Sequence, residues 1–415
     1  MTYKETLIPL ETAQSYVLER ITKANPIAIN IRDALGLTLA QDVTSPENIP
    51  PFRNTASDGY ALRSTDTLGA SKDSPVSLEV VATIAAGDNI DPQLGSMQSA
   101  RIMTGAPIPA DADSVIMVED TSPDPEVEGN VLVYKEVRPG DSVREAGSDV
   151  EEGQVVLLAG TKITPAAIGV LASLGYKKVP VFPRAKVAVI STGSELTESA
   201  EPLRRAMIRD SNRPALLSAI TGSGFEAYDL GIVPDDKEAL ETAFKEAASN
   251  YDAIVTSGGV SVGDFDLTKQ VLKDLSGGEM RWMQVAIKPA KPFAFGLIEG
   301  TPLFGLPGNP VSALVSFELF ARPAILKMMG SPQPFRPLLK ATLVDEIRRN
   351  RDGKVHFLRA SYHSVDGELR VSIKAGQMSH MLSQMASSNC LLVVPEGEIF
   401  EAGERLPIIP LEQAG

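Results

Sequence analysis

KVAVISTGSEL (186–196), AIVTSGGVSVGDFD (253–266) and PLFGLPGNPVS (302–312) decide the fold, because each joins an apolar run to a glycine-rich loop. Short, largely β-branched runs without polar alternation mark strands covered on both faces. Val187–Ile190, Ala227–Val233, Ala253–Thr256, Met283–Ile287 and Leu303–Leu306 read this way, with helical patterns near 211–221, 235–249, 266–275 and 310–328. Strand and helix in alternation predict an α/β domain over 181–330 with a mostly parallel sheet.

Outward from this segment the pattern changes on both sides. Leu10, Ala13, Val17, Leu18 and Ile21 fall at helical spacing before Pro26, which predicts a helix over 10–24, and a second helix fits 29–41. The runs at 76–84, 114–118 and 131–137, cut by Asp, Gly and Pro turns, predict a small β-rich domain. Thr164, Pro165 and Gly175 bracket another helix as cap, first turn and stop. Beyond Pro332, strands near 340–345, 355–361, 369–373 and 390–394 predict a small barrel or sandwich. A chain of 415 residues with 43% hydrophobic and 22% charged residues suits several globular domains.

Charge and rare residues narrow the chemistry. The formal net charge of −14 makes nucleic acid an unsuitable partner. It is unevenly spread: −11 over 1–180, −3 over 181–330 and zero over 331–415, so an anionic ligand is better received toward the C-terminal half. Cys390 is the only cysteine, and His356, His363 and His380 are the only histidines, so any metal should be a hard ion on oxygen ligands, with Mg2+ the default. Neither a long apolar span nor a leader pattern is present, and the expected location is the cytoplasm, with no membrane partner.

Open α/β sheets bind ligands beyond the carboxyl ends of their strands, so STGSE (191–195), SGGVSVGDFD (257–266) and GLPGNP (305–310) should meet at one crevice. Their glycines expose N–H groups suited to phosphate. Glu195, Asp235, Asp236, Asp264 and Asp266 fall in or beside these loops and could hold Mg2+. The same positions suit helix caps, above all one of Asp235 and Asp236 and one of Asp264 and Asp266. IKPAKPFAFG (287–296) presents Lys288 and Lys291 from a loop stiffened by two prolines, which suits a small anion. Neither a P-loop nor a Rossmann GxGxxG is present.

Six motifs in order, NTASDGYA (54–61), RIMTGAPIP (101–109), STGSEL (191–196), SGGVSVGDFDLTK (257–269), AIKPAKPFAFG (286–296) and GLPGNPVS (305–312), resemble the molybdopterin molybdenumtransferases, the MoeA and gephyrin E-domain family. The resemblance implies an elongated linker domain (1–45 and 143–180), a β-rich insertion (46–142), a molybdopterin-binding α/β domain (181–330) and a C-terminal β-barrel (331–415). It implies a Mg2+-dependent reaction in which adenylated molybdopterin and molybdate enter, molybdenum is placed on the dithiolene and AMP leaves. Residue by residue, it assigns catalysis to Asp58, Thr104, Glu195 and Asp266, and the metal to Glu195, Asp235 or Asp236, and Asp266. Arg144, Asp149, Thr192, Gly193, Gly258, Gly259, Pro307, Gly308 and Asn309 would bind the adenylated pterin. Lys288, Lys291, Ser312, Arg359 and Ser379 would bind molybdate. Ser57, Asp264 and Ala290 depart from the family pattern, and the methyl of Ala290 would narrow the anion pocket or demand a negative φ.

The resemblance also implies a homodimer with shared active sites and a molybdopterin adenylyltransferase as a further partner. Two other functions fit less well. An adenylyltransferase would leave the extra domains and the PAKP loop unused, and a gephyrin-like scaffold would leave the acids dispensable.

Overall fold

The computed structural model describes residues 7–258 and 267–411. Its central sheet has the strand order Glu226–Val233, Lys186–Thr192, Ala253–Ser257, Thr301–Leu306, Pro292–Ile298, Arg281–Gln284. The first four are parallel and the last two run antiparallel to their neighbours. Alternation along Lys186–Thr192 feeds two cores. Val187 and Val189 join one, while Ala188 and Ile190 join the other.

The helices, taken in chain order, are α1 (Leu10–Glu19), α2 (Pro165–Ser173), α3 (Asn212–Gly222), α4 (Lys237–Asn250), α5 (Leu267–Leu275), α6 (Pro310–Ser316), α7 (Arg322–Met328) and α8 (Leu382–Ala386). Leu240 and Phe244 of α4 and Val271 of α5 cover one face of the sheet. Leu216 of α3, Val311 of α6 and Ile325 of α7 cover the other. Between α6 and α7 the chain keeps helical course through a wider turn, Phe317–Ala321. Pro323 lacks an N–H to offer the turn before it, a local cause for this widening.

α1 packs on α7, with Ala13 and Val17 in the larger core and the Gln14 amide donating to the Leu319 carbonyl at 3.0 Å. It stops at Glu19 rather than reaching residue 24, because the next residues turn and Ala24 N–H bonds the Met328 carbonyl. The helix expected over 29–41 is absent. Ile27–Asn30 and Thr38–Leu39 instead flank Lys178–Phe182 in a three-stranded sheet, and Gly36 at φ +79° breaks any helical course between them.

The β-rich insertion is a six-stranded sheet ordered Ser114–Met117, Gly59–Leu62, Gln98–Ile102, Val76–Ile84, Asn130–Val133, Thr121–Pro123. Gly59 permits this pairing, since a Cβ there would lie 1.9 Å from the Ile116 carbonyl oxygen. Two paired segments tether the insertion: Val43–Thr44 with Val155–Leu157, and Asn54–Thr55 with Val143–Arg144. The tail is a closed five-stranded barrel in which Val355–Val365, Glu368–Ile373, Leu339–Leu343, Arg405–Pro410 and Cys390–Val394 pair around to the first strand. Ile287–Lys288 pairs in parallel with Val355–His356 and so seats the PAKP loop against the barrel.

Candidate functional site

Three strand ends meet as the parallel sheet requires. Gly258, at φ +98°, lies so close to Thr192 that an added Cβ would stand 2.7 Å from the Thr192 carbonyl oxygen. Its N–H reaches the Leu306 carbonyl at 3.2 Å, so the ends of Lys186–Thr192, Ala253–Ser257 and Thr301–Leu306 converge. The Glu195 carboxylate folds over Gly193, within 2.6 Å of where a Cβ would sit. Pro307 is buried beneath this edge, while Gly308 and Asn309 are exposed.

The adjacent aspartates divide their work. Asp235 accepts from the Ser194 N–H at 3.1 Å and its hydroxyl at 3.2 Å, which draws this carboxylate to the crevice loop. Asp236 caps α4, accepting from Ala239 N–H at 2.9 Å. Among the described residues no three His, Cys, Asp or Glu side chains gather as a metal-holding group. Gly259, Asp264 and Asp266 lie outside the described residues.

The GLPGNPVS loop is a wall shared with a second feature. Across it, Lys288, Ala290, Lys291, Asn309, Ser312, Lys354, Gln377 and Ser379 line a cleft of about 450 Å³. The carbonyl of Ser379 accepts from Val311 N–H at 3.1 Å, which fixes the barrel's contribution against the start of α6. Four of the five residues expected to bind molybdate thus line one cleft.

Arg359 does not line this cleft. It is fully buried, and its Nη2 donates to the carbonyls of Gly376 and Met378 at 3.3 and 3.2 Å. Ala290 takes φ +74°, so its methyl is accommodated in the left-handed region rather than forcing a negative φ.

Lys354 and Gln377 line the cleft without having been singled out in the sequence. Lys354 Nζ lies 3.4 Å from the Asp352 carboxylate, which Arg349 and His356 also contact at 2.7 and 3.1 Å. Burial alone would raise the Asp352 carboxyl, but the His356 contact and the charges of Lys354 and Arg349 hold it below its ordinary value. Burial pushes the His356 imidazole below its ordinary value, against the pull of Asp352.

Asp58 and Thr104 come together on the insertion. Asp58 accepts from both the N–H and the hydroxyl of Thr104 at 2.7 Å, and these bonds, the N–H foremost, hold its carboxyl below the usual range. Arg144 pairs with Asn54 on the tether, while Asp149 is exposed farther along, its N–H on the Ile49 carbonyl at 2.9 Å.

Known proteins with this architecture are readily found. Residues 8–175 match the MoeA N-terminal region (domain I and II), 188–327 a probable molybdopterin binding domain, and 340–411 the MoeA C-terminal region (domain IV). A Haemophilus influenzae protein named molybdopterin molybdenumtransferase is 37% identical over 97% of this chain and 98% of its own. The chain belongs to the MoeA family. A second relative, molybdopterin molybdenumtransferase 2 of Mycobacterium tuberculosis, is 39% identical over 95% of this chain and 97% of its own. A molybdopterin biosynthesis MoeA structure from Pyrococcus horikoshii superposes with a TM-score of 0.83 at 30% identity, covering 98% of this chain and all of that one.

Within this MoeA fold, Asn212 is a further residue that strand and helix patterning did not flag. Its side-chain amide donates to Ser257 Oγ at 2.6 Å and to the Gly308 carbonyl at 2.7 Å, tying two of the crevice loops together. It opens α3, where a polar residue reads first as a helix start.

Proposed function

We propose that this MoeA-family protein inserts molybdenum into adenylated molybdopterin with release of AMP, completing molybdenum cofactor biosynthesis. The carrying observation is the shared wall: one loop, GLPGNPVS, borders both the glycine-rich crevice and the lysine-lined cleft. Relatives matching nearly the whole chain carry the molybdenumtransferase name, which favours this function over an adenylyltransferase or a scaffold.

In this reading the crevice N–H groups hold the nucleotide phosphates, and Lys288, Lys291, Lys354, Ser312 and Ser379 collect molybdate as substrate. Bringing the oxyanion and the dithiolene to one wall raises their effective concentration. The donor chemistry fits Mg2+, which takes one or two carboxylates and completes its shell with substrate phosphate and water. Glu195 and Asp235 would hold it, with Asp266 from outside the described residues, and when bound it supplies Lewis-acid polarisation of the phosphoryl oxygens. Asp58 and Thr104 serve a site completed across a homodimer, and a cytoplasmic adenylyltransferase supplies the adenylated substrate.

The test is AMP release from adenylated molybdopterin. It should require molybdate and a divalent cation, stop in EDTA, and show a half-saturating molybdate concentration raised about tenfold by Lys288→Ala or Lys354→Ala, each removing a charged contact of about 1.5–3 kcal/mol at most. Turnover in EDTA, or unchanged molybdate dependence in both variants, contradicts this function.

A further inference from the structure

Lys354, which lines the cleft, is the last residue of the bend Asp352–Gly353–Lys354 that leads into the strand Val355–Val365, with Gly353 at φ +69°. Behind that bend stand four polar side chains, none of which lines the cleft. Arg349, only 6% exposed, donates from Nη2 to the Asp352 carboxylate at 2.7 Å and to Glu396 at 3.2 Å. His356 Nε2 lies 3.2 and 3.1 Å from the two Asp352 oxygens.

This cluster grips Lys354 at three points. Arg349 Nη2 donates to the Lys354 carbonyl at 3.0 Å, Glu396 accepts from the Lys354 N–H at 3.1 Å, and Asp352 accepts from Nζ at 3.4 Å. The last is the longest of the contacts that Asp352 makes, and an ammonium has three donors, so Lys354 is oriented without being consumed in a tight pair. Arg349 and His356 fix the carboxylate that does the orienting. His356 is in turn the register partner of Lys288, so the support stands behind both cleft cations. Lysine carries its charge on a flexible four-carbon stem, and ordering that stem in advance removes a cost that binding would otherwise meet.

We propose that Asp352 is a positioning residue for the oxyanion cleft, which does not touch the anion and acts by holding the Lys354 ammonium at the cleft wall. The inference rests on the cleft being the molybdate site. It has a sign of its own. Asp352→Asn takes a negative charge away from the neighbourhood of an anion, which by Coulomb's law alone tightens binding. Positioning demands the reverse.

Equilibrium dialysis of the full-length protein against molybdate, with bound molybdenum counted by mass spectrometry, tests it in wild type, Asp352→Asn, Lys354→Ala and the double variant. The expected Kd rises about threefold to tenfold in Asp352→Asn and about tenfold in Lys354→Ala, and the double variant stays within about 1.5-fold of Lys354→Ala, since Asp352 then has nothing to hold. In AMP release, the half-saturating molybdate concentration should move in parallel while the limiting rate stays within about twofold of wild type. An unchanged or lowered Kd in Asp352→Asn overturns the proposal, and so do losses that multiply in the double variant, because the aspartate then acts other than through Lys354. Should Asp352→Asn fail to fold, Glu396→Gln loosens the same support at a carboxylate 41% exposed. It must raise Kd at least about twofold with Lys354 present and leave it unmoved in the Lys354→Ala background; any other result overturns the proposal. A wild type that binds no molybdate and releases no AMP overturns the molybdenum-insertion function itself, whereas a wild type that does both, with binding indifferent to Asp352, overturns this inference alone.

Discussion

Ala290 carries its methyl buried at 3% exposure while its φ stands at +74°. Three terms compete in Ala290→Gly. Relief of the left-handed conformation returns about 1–2 kcal/mol, while the looser unfolded chain takes back about 0.4–1 kcal/mol. Losing a buried methyl takes about 0.8 kcal/mol more. The expected net change is within about 1 kcal/mol of zero, whereas Ala290→Val adds β-branching at positive φ and should cost about 2 kcal/mol or more. Urea denaturation of both variants checks this.

Cys390 is another residue whose surroundings set its chemistry, its thiol pushed up to about 12 by burial. In the unfolded chain the thiol ionises near its ordinary value, so its contribution to stability is intact below about pH 8.5 and declines as pH rises beyond it. Alkylation at pH 8 should be at least about 10²-fold slower in the native than in the denatured protein, followed by mass spectrometry. Single residues also mark where sequence reading stops. Asp235 and Asp236 are chemically alike, and only the direction of α4 makes the second its cap. Arg359 shares a strand with Phe357, two positions away, and the two-residue period that buries Phe357 buries the guanidinium as well.

Among the elements, the parallel strands were legible because burial on both faces leaves no room for polar alternation. Pro292–Ile298 was not, since its apolar run follows directly on the lysines and prolines that read as a loop. The second half of strand Ile27–Asn30 fell within the helix expected over 29–41 because its partner, Lys178–Phe182, lies about 150 residues away in the chain. Lys354 shows the same limit in the site: it precedes Val355–Val365, and only the pairing of that strand with Ile287–Lys288 brings it near the PAKP loop. Asn212 gives this scale its prediction. Asn212→Asp keeps the shape, removes both donated bonds and sets a carboxylate against the Gly308 carbonyl. KM for adenylated molybdopterin should rise about tenfold or more, with a stability loss of about 1–3 kcal/mol for two hydrogen bonds. Steady-state kinetics with that substrate varied, beside urea melts, would show it. An unaltered KM would leave the amide a purely local tie.

For the whole molecule, the placement of Asp58 and Thr104 on a tethered insertion favours completion of each site by a second copy, in the two-fold arrangement commonest among oligomers. Asp58→Asn and Glu195→Gln should each be nearly inactive alone. After subunit exchange, half of the dimers are hybrids with one intact and one doubly altered site, so activity should recover toward ~25% of wild type. Absence of recovery despite exchange, shown by mass-tagged subunits, would place both residues in the site of one chain.

The tether itself bears on the history of such a chain. Ser45 N–H bonds the Gln154 carbonyl at 2.8 Å and Gly153 N–H bonds the Ser45 carbonyl at 2.9 Å, so the strand leading out to the insertion and the strand leading back touch at their base. A two-residue hairpin turn could bridge them there without disturbing the strands below. The insertion is thus a cassette at the tip of a ready-made hairpin, an element that gene rearrangement can lengthen, exchange or delete while the body beneath keeps its course.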